Sequence, residues 1–145
     1  MLAAVGGRAG LVGLQFHQVP DLLNRKILER AVKLGIKEED VIIDPLAMAV
    51  SADPRACIVT LETIRLVHKK LGLNITQGAS NISFGLPDRE ILNIAHMILS
   101  IRNGLTCPIA NPEKITAAVR AADLILGRDD FAMRFIGYSQ SIINV

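Results

Sequence analysis

Short apolar runs alternate along this chain with longer segments of helical spacing, at a period of roughly 30 residues. Four runs have the length and residue types of strands, at residues 10–14, 41–43, 73–76 and 106–110. A strand followed by a helix, four times over, predicts parallel βα units with right-handed crossovers. Such units form either a small open doubly wound sheet or part of a (β/α)₈ barrel. The strands alone do not choose between these two architectures.

The helical segments have clear ends. Apolar spacing, capping residues and terminal glycines predict helices over residues 21–34, 54–71, 88–103 and 112–126. The second helix is expected to bury the stripe formed by Leu61, Ile64, His68 and Leu71. The third is apolar around nearly its whole circumference, so we expect it to be deeply buried. The pattern of residues 131–136 predicts a further helical turn or two, packed on the outside of the domain.

Composition excludes several classes of protein. Half of the 145 residues are apolar and 21% are charged, which is not the composition of a disordered chain. The most apolar stretch, residues 91–101, is too short and too polar to span a bilayer. A net charge of +2 without a basic run gives no case for nucleic-acid binding. Two lone cysteines fit a reducing compartment. We expect a single cytoplasmic domain over residues 1–145, whose mean hydropathy of +0.38 suggests a partner surface.

Polar residues follow each predicted strand, at the end where parallel α/β folds carry their chemistry. These are Gln15 and His17, then Asp44, then the loop at residues 78–83, then Asn111. Amides both donate and accept hydrogen bonds, and a carboxylate accepts two N–H bonds side by side. Such a set can bind a flat heterocycle that offers both donors and acceptors.

Each of these residues also has a structural interpretation. Asn111 precedes a proline and can cap a helix, and Gln15 and His17 can be ordinary loop residues. Asp44 follows a buried run, where a carboxylate needs a partner to offset its desolvation. No group of residues has metal-ligand spacing, so no metal site is predicted. The sequence also holds no Ser/His/Asp arrangement, no GxGxxG fingerprint, no phosphate-binding loop and no CxxC pair.

Several segments resemble one known family. They lie at residues 44–51, 78–87, 102–104 and 109–112, and the second reads Gly-Ala-Ser-Asn-Ile-Ser-Phe-Gly-Leu-Pro. In these segments the chain resembles the pterin-binding methyltransferases. That family includes the methyltetrahydrofolate:corrinoid protein methyltransferases and the folate domain of cobalamin-dependent methionine synthase. Weaker similarity at residues 11–20 and 121–129 extends the resemblance over nearly the whole chain.

The resemblance implies a fold and its extent. Family members are (β/α)₈ TIM barrels of the dihydropteroate synthase-like kind, and this chain would be the C-terminal (βα)₄ portion. A complete barrel has about 250 residues, so roughly the first hundred are absent. In the family that half supplies another aspartate and an asparagine to the pterin pocket. We therefore expect the chain to form a homodimer or to associate with a missing N-terminal half-barrel.

The resemblance also implies an activity: transfer of the N5-methyl group of methyltetrahydrofolate to the Co(I) corrinoid (cobalamin) of a partner protein. Asp44 would accept hydrogen bonds from the amino-pyrimidine edge of the pterin, and Gly78 and Ser80 would keep the backbone close to the ring. Asn81, the implied catalytic residue, would hydrogen-bond N5 and follow its changing charge. It cannot be the proton source, since its amide does not titrate. Asn111 completes the expected pterin-binding set.

Two alternatives remain at this point. A dihydropteroate synthase-like enzyme shares the barrel and the pterin site, but it usually has a lysine where this chain has Ile82. It also has an Arg-x-His near its last strand, which is not seen in this sequence. The second alternative is a non-catalytic half-barrel that binds pterin without turnover.

Overall fold

Parallel strands form one sheet in the order in which they occur along the chain. The computed structural model describes residues 2–5 and 19–143. Within them the strands are β1 (Leu2–Val5), β2 (Val41–Asp44), β3 (Asn74–Gly78) and β4 (Cys107–Ile109). The sheet has the order β1-β2-β3-β4, and each neighbouring pair is parallel. The predicted parallel α/β class is confirmed.

The sequential strand order separates a barrel from a doubly wound sheet. In a doubly wound sheet the order reverses, so that helices cover both faces. Here each crossover steps to the next strand in the same direction, and right-handed crossovers then place the helices on one face. Val41, Ile43 and Ile75 are buried, whereas the alternating Ile42 and Thr76 are only half-buried. The sheet is therefore part of a (βα) barrel, with its helices outside and its concave face inward.

The helices follow the predicted pattern to within a few residues. They are α1 (Val19–Lys33), α2 (Ala56–Leu71), α3 (Arg89–Asn103), α4 (Pro112–Ile125) and α5 (Met133–Ile143), with 3₁₀ turns at Glu38–Asp40, Ala79–Ser83 and Asp130–Ala132. Gly72 and Gly104 end α2 and α3 in the left-handed conformation, as terminal glycines commonly do. Among the described residues, no helix is long and apolar enough to cross a membrane.

The structure contains an amino-terminal strand that the sequence did not predict. The run at residues 10–14 lies outside the described residues, as do Gln15 and His17. The strand that pairs with β2 is β1, whose sequence is Leu-Ala-Ala-Val. Alanine has low strand propensity, so this short segment carries no strand signal in the sequence. At the other edge of the described sheet, Pro108 lies in the last strand, β4. Proline has no backbone N–H to donate to a neighbouring strand, so an edge strand is where it is tolerated.

The buried face of α2 is not the predicted stripe. The helix buries Ala56, Thr60, Thr63, Ile64 and Val67, so that only Ile64 is shared with the prediction, and His68 is exposed. Both threonine hydroxyls have backbone acceptors, since Thr63 Oγ1 donates to the carbonyl of Val59 at 2.8 Å and Thr60 Oγ1 donates to the carbonyl of Leu46 at 3.2 Å. Small side chains with satisfied hydroxyls can face the core without the desolvation cost that would normally exclude them.

The prediction that α3 is deeply buried is wrong. Its outer face leaves Ile91 67% and Leu99 47% exposed, while the buried residues are His96, Met97, Ser100 and Ile101. The inward stripe of this helix therefore contains two polar residues that a hydropathy pattern counts against burial. They are accommodated because Gln77 of β3 contacts His96 and Ser100 in turn lies 3.4 Å from the same ring nitrogen.

The core lies between the convex face of the sheet and the helices. Ile43, Ile64, Ile75 and Met97 are fully buried at its centre. Each side chain of this size contributes about 1.5–3 kcal/mol by leaving water. Strands β2 and β3 supply the sheet side of this layer, and α2 and α3 supply the helix side.

The start of α5 depends on one buried carboxylate. Asp129 accepts hydrogen bonds from the backbone N–H groups of Arg134 and Phe135, at 3.0 and 2.9 Å. The N–H of Arg134 is the main cause that lowers the pKa of the Asp129 carboxyl. Arg134 also pairs with Asp123 of α4 at 3.6 Å. These contacts fix a helix that is longer than the turn or two predicted from the sequence.

A buried polar cluster joins β3, α2 and α3. Gln77, with no exposed surface, places its amide nitrogen 2.9 Å from Nε2 of His96. The Gln77 amide and the His96 imidazole are therefore hydrogen-bonded to each other inside the fold. Nδ1 lies 3.6 Å from Sγ of Cys57, whose thiol pKa is raised by burial. The cluster is therefore uncharged at neutral pH.

This arrangement disfavours the imidazolium form of His96. Burial lowers the pKa of His96 below its ordinary value of 6.5, because a buried cation loses hydration. The folded state therefore takes up this proton less readily than the unfolded chain does.

We predict that the free energy of unfolding falls as the pH is lowered from about 6.5 towards the reduced pKa of His96. In that window the unfolded chain binds the proton and the folded chain does not, which gives a slope of at most about 1.4 kcal/mol per pH unit. His96→Gln should flatten the urea-denaturation profile between pH 7 and 5. The exposed control His68→Gln should keep the slope. An unchanged slope in the His96 variant would contradict this account.

Candidate functional site

The carboxyl ends of β2, β3 and β4 lie side by side. Asp44 and Gly78 are the last residues of β2 and β3, and Gly78 is paired with Ile109 at the end of β4. The register of Ile43 with Ile75 sets Asp44 beside Thr76. Neighbouring strands are about 4.8 Å apart, so the loops that follow these ends share one edge of the sheet.

Asp44 forms a tight turn at the end of β2. Its Oδ1 accepts the backbone N–H of Leu46 at 2.9 Å, and Leu46 has a φ of 59°, a strained value for a branched residue. Thr60 Oγ1 holds this turn by donating to the carbonyl of Leu46 at 3.2 Å. Within the described residues no hydrogen bond occupies the second carboxylate oxygen, which remains available to accept from a ligand.

Gly78 and Asn81 are in close contact at the end of β3. A Cβ added to Gly78 would lie 3.1 Å from Nδ2 of Asn81. The glycine has φ −74° and ψ 88°, so its role is to leave space rather than to adopt an unusual backbone. The Asn81 side chain is exposed and folds back over the strand end, and its amide makes no hydrogen bond to the described residues.

Arg89 fastens the loop that carries Ser80 and Asn81. Its Nη2 donates to the carbonyl of Ser80 at 2.9 Å, and its Nε donates to Oγ of Ser83 at 3.1 Å. Ser83 in turn lies 2.8 Å from Oδ1 of Asn93 on α3. The guanidinium is also 5.9 Å from the ring centre of Phe84, within range of a cation–π interaction. The loop is thus held by side chains from the first turns of α3.

The loops after β2 and β3 are bonded to each other. The backbone N–H of Val50 donates to the carbonyl of Ile82 at 3.0 Å. The Ser51 hydroxyl donates to the carbonyl of Phe84 at 2.6 Å. The loop that follows Asp44 and the loop that contains Asn81 are therefore joined by hydrogen bonds.

A cleft of about 300 Å³ opens at the same edge, between the amino-terminal ends of α3 and α4. Ser80 and Asn111 both line it, whereas Asp44, Gly78 and Asn81 do not. Lys114 of α4 and Glu90 of α3 form an ion pair of 3.6 Å beside it. The structure therefore brings two of the predicted residues into this cleft and leaves the other three at the neighbouring strand ends.

Asn111 serves as the cap of α4. Its Oδ1 accepts the backbone N–H of Glu113 at 2.9 Å, and Pro112 occupies the first helical position. The structural interpretation of this residue is therefore confirmed. Its amide nitrogen makes no hydrogen bond to the described residues and can still donate.

Sequence reasoning missed Arg89, Ser83 and Asn93. Arg89 follows Asp88, whose φ of 49° marks a tight entry into α3, but a single arginine in a first helical turn carries no signal of its own. The described residues contain no cluster of three or more metal-ligating side chains. What the edge offers is a carboxylate oxygen, amide groups and strand-end backbone, which are recognition groups for a polar planar ligand.

Comparison with known proteins identifies the family. The family described as pterin binding enzyme matches residues 16–111, a range that contains all five predicted site residues. The chain belongs to the pterin-binding enzyme family. It is similar to a methylcorrinoid:tetrahydrofolate methyltransferase of Eubacterium limosum, with 31% identity over 118 residues. That match covers 78% of this chain and 43% of the relative, so the chain spans less than half of the relative's length.

We predict that Gly78→Ala displaces the Asn81 amide while the fold stays intact. The added methyl group would meet Nδ2 at 3.1 Å, and an exposed side chain can yield by a few tenths of an ångström. The change in unfolding free energy should stay within about 1 kcal/mol. The nuclear magnetic resonance signal of the Asn81 side-chain amide should shift. Gly137→Ala, which has nothing within 4 Å of the new atom, should leave that signal unchanged. If Gly78→Ala also leaves the Asn81 amide signal unchanged, the contact is refuted.

Proposed function

We propose that this chain forms the pterin-binding part of a methyltransferase that moves a methyl group between N5 of tetrahydrofolate and the corrinoid of a partner protein. The observation that carries the proposal is the Asn81 amide folded over Gly78 at the end of β3, within the segment matched by the family. The relative's name gives the direction from corrinoid to folate. Microscopic reversibility allows one site to serve both directions.

In this proposal Asp44 accepts hydrogen bonds from the amino-pyrimidine edge of the pterin. One of its oxygens holds the turn at Leu46, and the other can accept from the ring N–H or the amino group. A charged acceptor makes hydrogen bonds roughly twice as strong as a neutral one. The strained turn at Leu46 holds the carboxylate in one orientation before the ligand arrives, which lowers the entropic cost of binding.

In this proposal Asn81 hydrogen-bonds N5, the pterin nitrogen that carries the methyl group. In transfer to Co(I), the cobalt electron pair forms the new Co–C bond and the C–N electron pair stays on N5, which must also gain a proton. In the reverse direction the N5 lone pair takes the methyl group, and the proton leaves. The Asn81 amide can donate to or accept from N5 as its charge changes, while the proton comes from another source. Such a preorganised group stabilises the transition state by electrostatics.

Ser80 and Asn111 complete the site from the cleft. Ser80 contributes its backbone and hydroxyl at the loop that Arg89 holds. Asn111 uses its oxygen for the α4 cap and has its amide nitrogen for a substrate acceptor. Because these two residues line a cleft beside the strand ends, they are placed for the part of the substrate that extends beyond the ring.

Ile82 favours methyl transfer over dihydropteroate synthesis. It is 3% exposed, within the loop that also holds Asn81. The resemblance places a pterin-contacting lysine at this position in the synthases. A buried isoleucine cannot donate a hydrogen bond to the pterin.

The rest of the barrel and the corrinoid protein are part of the proposal. This chain spans 43% of the relative's length, so we propose that catalysis requires barrel residues beyond those of this sequence. The free thiols Cys57 and Cys107 are compatible with the cytoplasmic location that folate chemistry would have.

We predict separate effects for the two central residues. Asp44→Asn keeps the acceptor for Leu46 but loses the charge, and should weaken tetrahydrofolate binding about tenfold or more. Asn81→Ala should slow methyl transfer on the order of 100-fold with a smaller effect on affinity. Binding would be followed by calorimetry, and transfer to a Co(I) corrinoid by absorbance, in a barrel completed by co-expression of an amino-terminal half.

Matched controls are available at exposed positions away from the carboxyl ends of the strands. Asp40→Asn in the first 3₁₀ turn and Asn74→Ala at the start of β3 should leave both measurements unchanged. Equal, small effects of the Asp44 and Asn81 variants would remove the assignment of roles. Tetrahydrofolate binding without any transfer in the completed barrel would instead favour a non-catalytic binding protein.

We also predict that the isolated chain self-associates through the concave face of its sheet. Ile109 is paired with Gly78 and is 64% exposed, and such apolar surface at an open strand edge favours association. Ile109→Asp should shift sedimentation towards monomer across a dilution series and reduce 8-anilinonaphthalene sulfonate fluorescence. Ile125→Asp, at a 77% exposed position on α4, should do neither. A wild-type monomer that binds no dye would contradict the prediction.

A further inference from the structure

A second cleft lies at the opposite end of the molecule from the strand ends described above. It occupies about 520 Å³ between the carboxyl-terminal ends of α2 and α3 and the loop after α4. Helices in βα units run antiparallel to the strands, so their carboxyl-terminal ends lie at the amino ends of the strands. This cleft, which we call the basic cleft, is therefore separate from the proposed pterin site.

Cationic side chains from three elements converge on the basic cleft. They are Lys69 and Arg65 of α2, Arg102 of α3 and Arg128 of the loop after α4, and His68 of α2 lies beside them. Among the lining residues that the structure describes, none is a carboxylate. The whole chain carries a net charge of only +2, from 16 basic and 14 acidic residues, so this concentration of positive charge does not reflect a basic protein.

Most of these cations lack a counter-charge. In the described part of the chain, Arg65, Lys69 and Arg102 have neither an ion pair nor a side-chain hydrogen bond, and all three are exposed. Arg128 pairs with Asp123 at 3.8 Å, a carboxylate that also contacts Arg134. Like charges gathered in one concavity repel each other, and a bound anion relieves that repulsion.

The helix ends explain only part of this charge. Cations in a last turn interact favourably with the carbonyl end of a helix, which accounts for Lys69 and Arg102. Arg65 lies more than one turn before the end of α2, and Arg128 lies beyond α4. The carbonyls of His68 and Ile101 are moreover already bonded to the N–H groups of Gly72 and Gly104.

Gly104 shapes the floor of the cleft. A Cβ at this position would lie 2.4 Å from Cγ of His68, and the residue has a φ of +111°. Only glycine allows the imidazole to lie against the backbone here. The His68 ring of α2 therefore packs against the backbone at the end of α3, where Arg102 also lines the cleft.

We propose that the basic cleft binds a small anion that carries two or more linked phosphate groups. Guanidinium groups match phosphate oxygens in paired, fork-like hydrogen bonds, and three arginines on different elements can contact more than one phosphate. The volume is in the range of small-molecule sites and exceeds what one phosphate fills. The ligand is either a free polyphosphate or the phosphate chain of a nucleotide.

The test is calorimetric titration of the full chain in phosphate-free buffer, with inorganic tripolyphosphate in one arm and adenosine triphosphate in the other. We expect saturable binding of tripolyphosphate with one equivalent per chain, weakened by added salt. Tighter binding of adenosine triphosphate would identify a nucleotide as the source of the phosphate chain, and equal or weaker binding would identify free polyphosphate.

Paired variants with the same loss of charge make the test specific. Arg65→Gln with Arg102→Gln should weaken tripolyphosphate binding about tenfold or more. Arg25→Gln with Arg55→Gln, at exposed positions outside the cleft, should change it less than about twofold after the same change in net charge. Circular dichroism confirms that each variant is folded. No binding at millimolar tripolyphosphate, or equal weakening in both pairs, would overturn the proposal.

Discussion

The pairing of consecutive strands, all in one direction, is the constraint on which the rest of this molecule depends. Right-handed crossovers between strands in the order β1-β2-β3-β4 place all of the connecting helices on one face of the sheet. The convex face then holds the apolar core and the Gln77–His96 contact. The concave face carries the side chains of the alternate strand positions, and the strand ends carry the proposed chemistry.

Strand β3 shows how closely these roles are combined. Within five residues, Ile75 fills the core, Gln77 bonds to His96, and Gly78 leaves room for Asn81. The alternation of side chains allows this, because neighbouring residues serve opposite faces. Gln77 fixes β3 against α3 one residue before the site begins, so the buried polar cluster supports the position of the strand end.

The sequence predicted the βα repeat and the helix ends, because periodicity and terminal glycines are local signals. It failed for β1, whose alanines lack strand propensity, and for the buried faces of α2 and α3. Burial of Thr60 and His96 depends on partners distant in the sequence, at Leu46 and Gln77. Asp44 stood out by residue type at a strand end and Asn81 by the family resemblance of its loop, whereas Arg89 acts through a folded loop that no spacing rule describes.

The hydrogen bonds from Val50 to Ile82 and from Ser51 to Phe84 couple the conformations of the two site loops. A substitution in either loop alters the conformational ensemble of both, so the effects of changes in one loop and in the other should not add. Evolution of specificity at this edge would then proceed by coordinated replacements across the two loops. Neither loop is an independent module, although more than 30 residues of sequence separate Ser51 from Phe84.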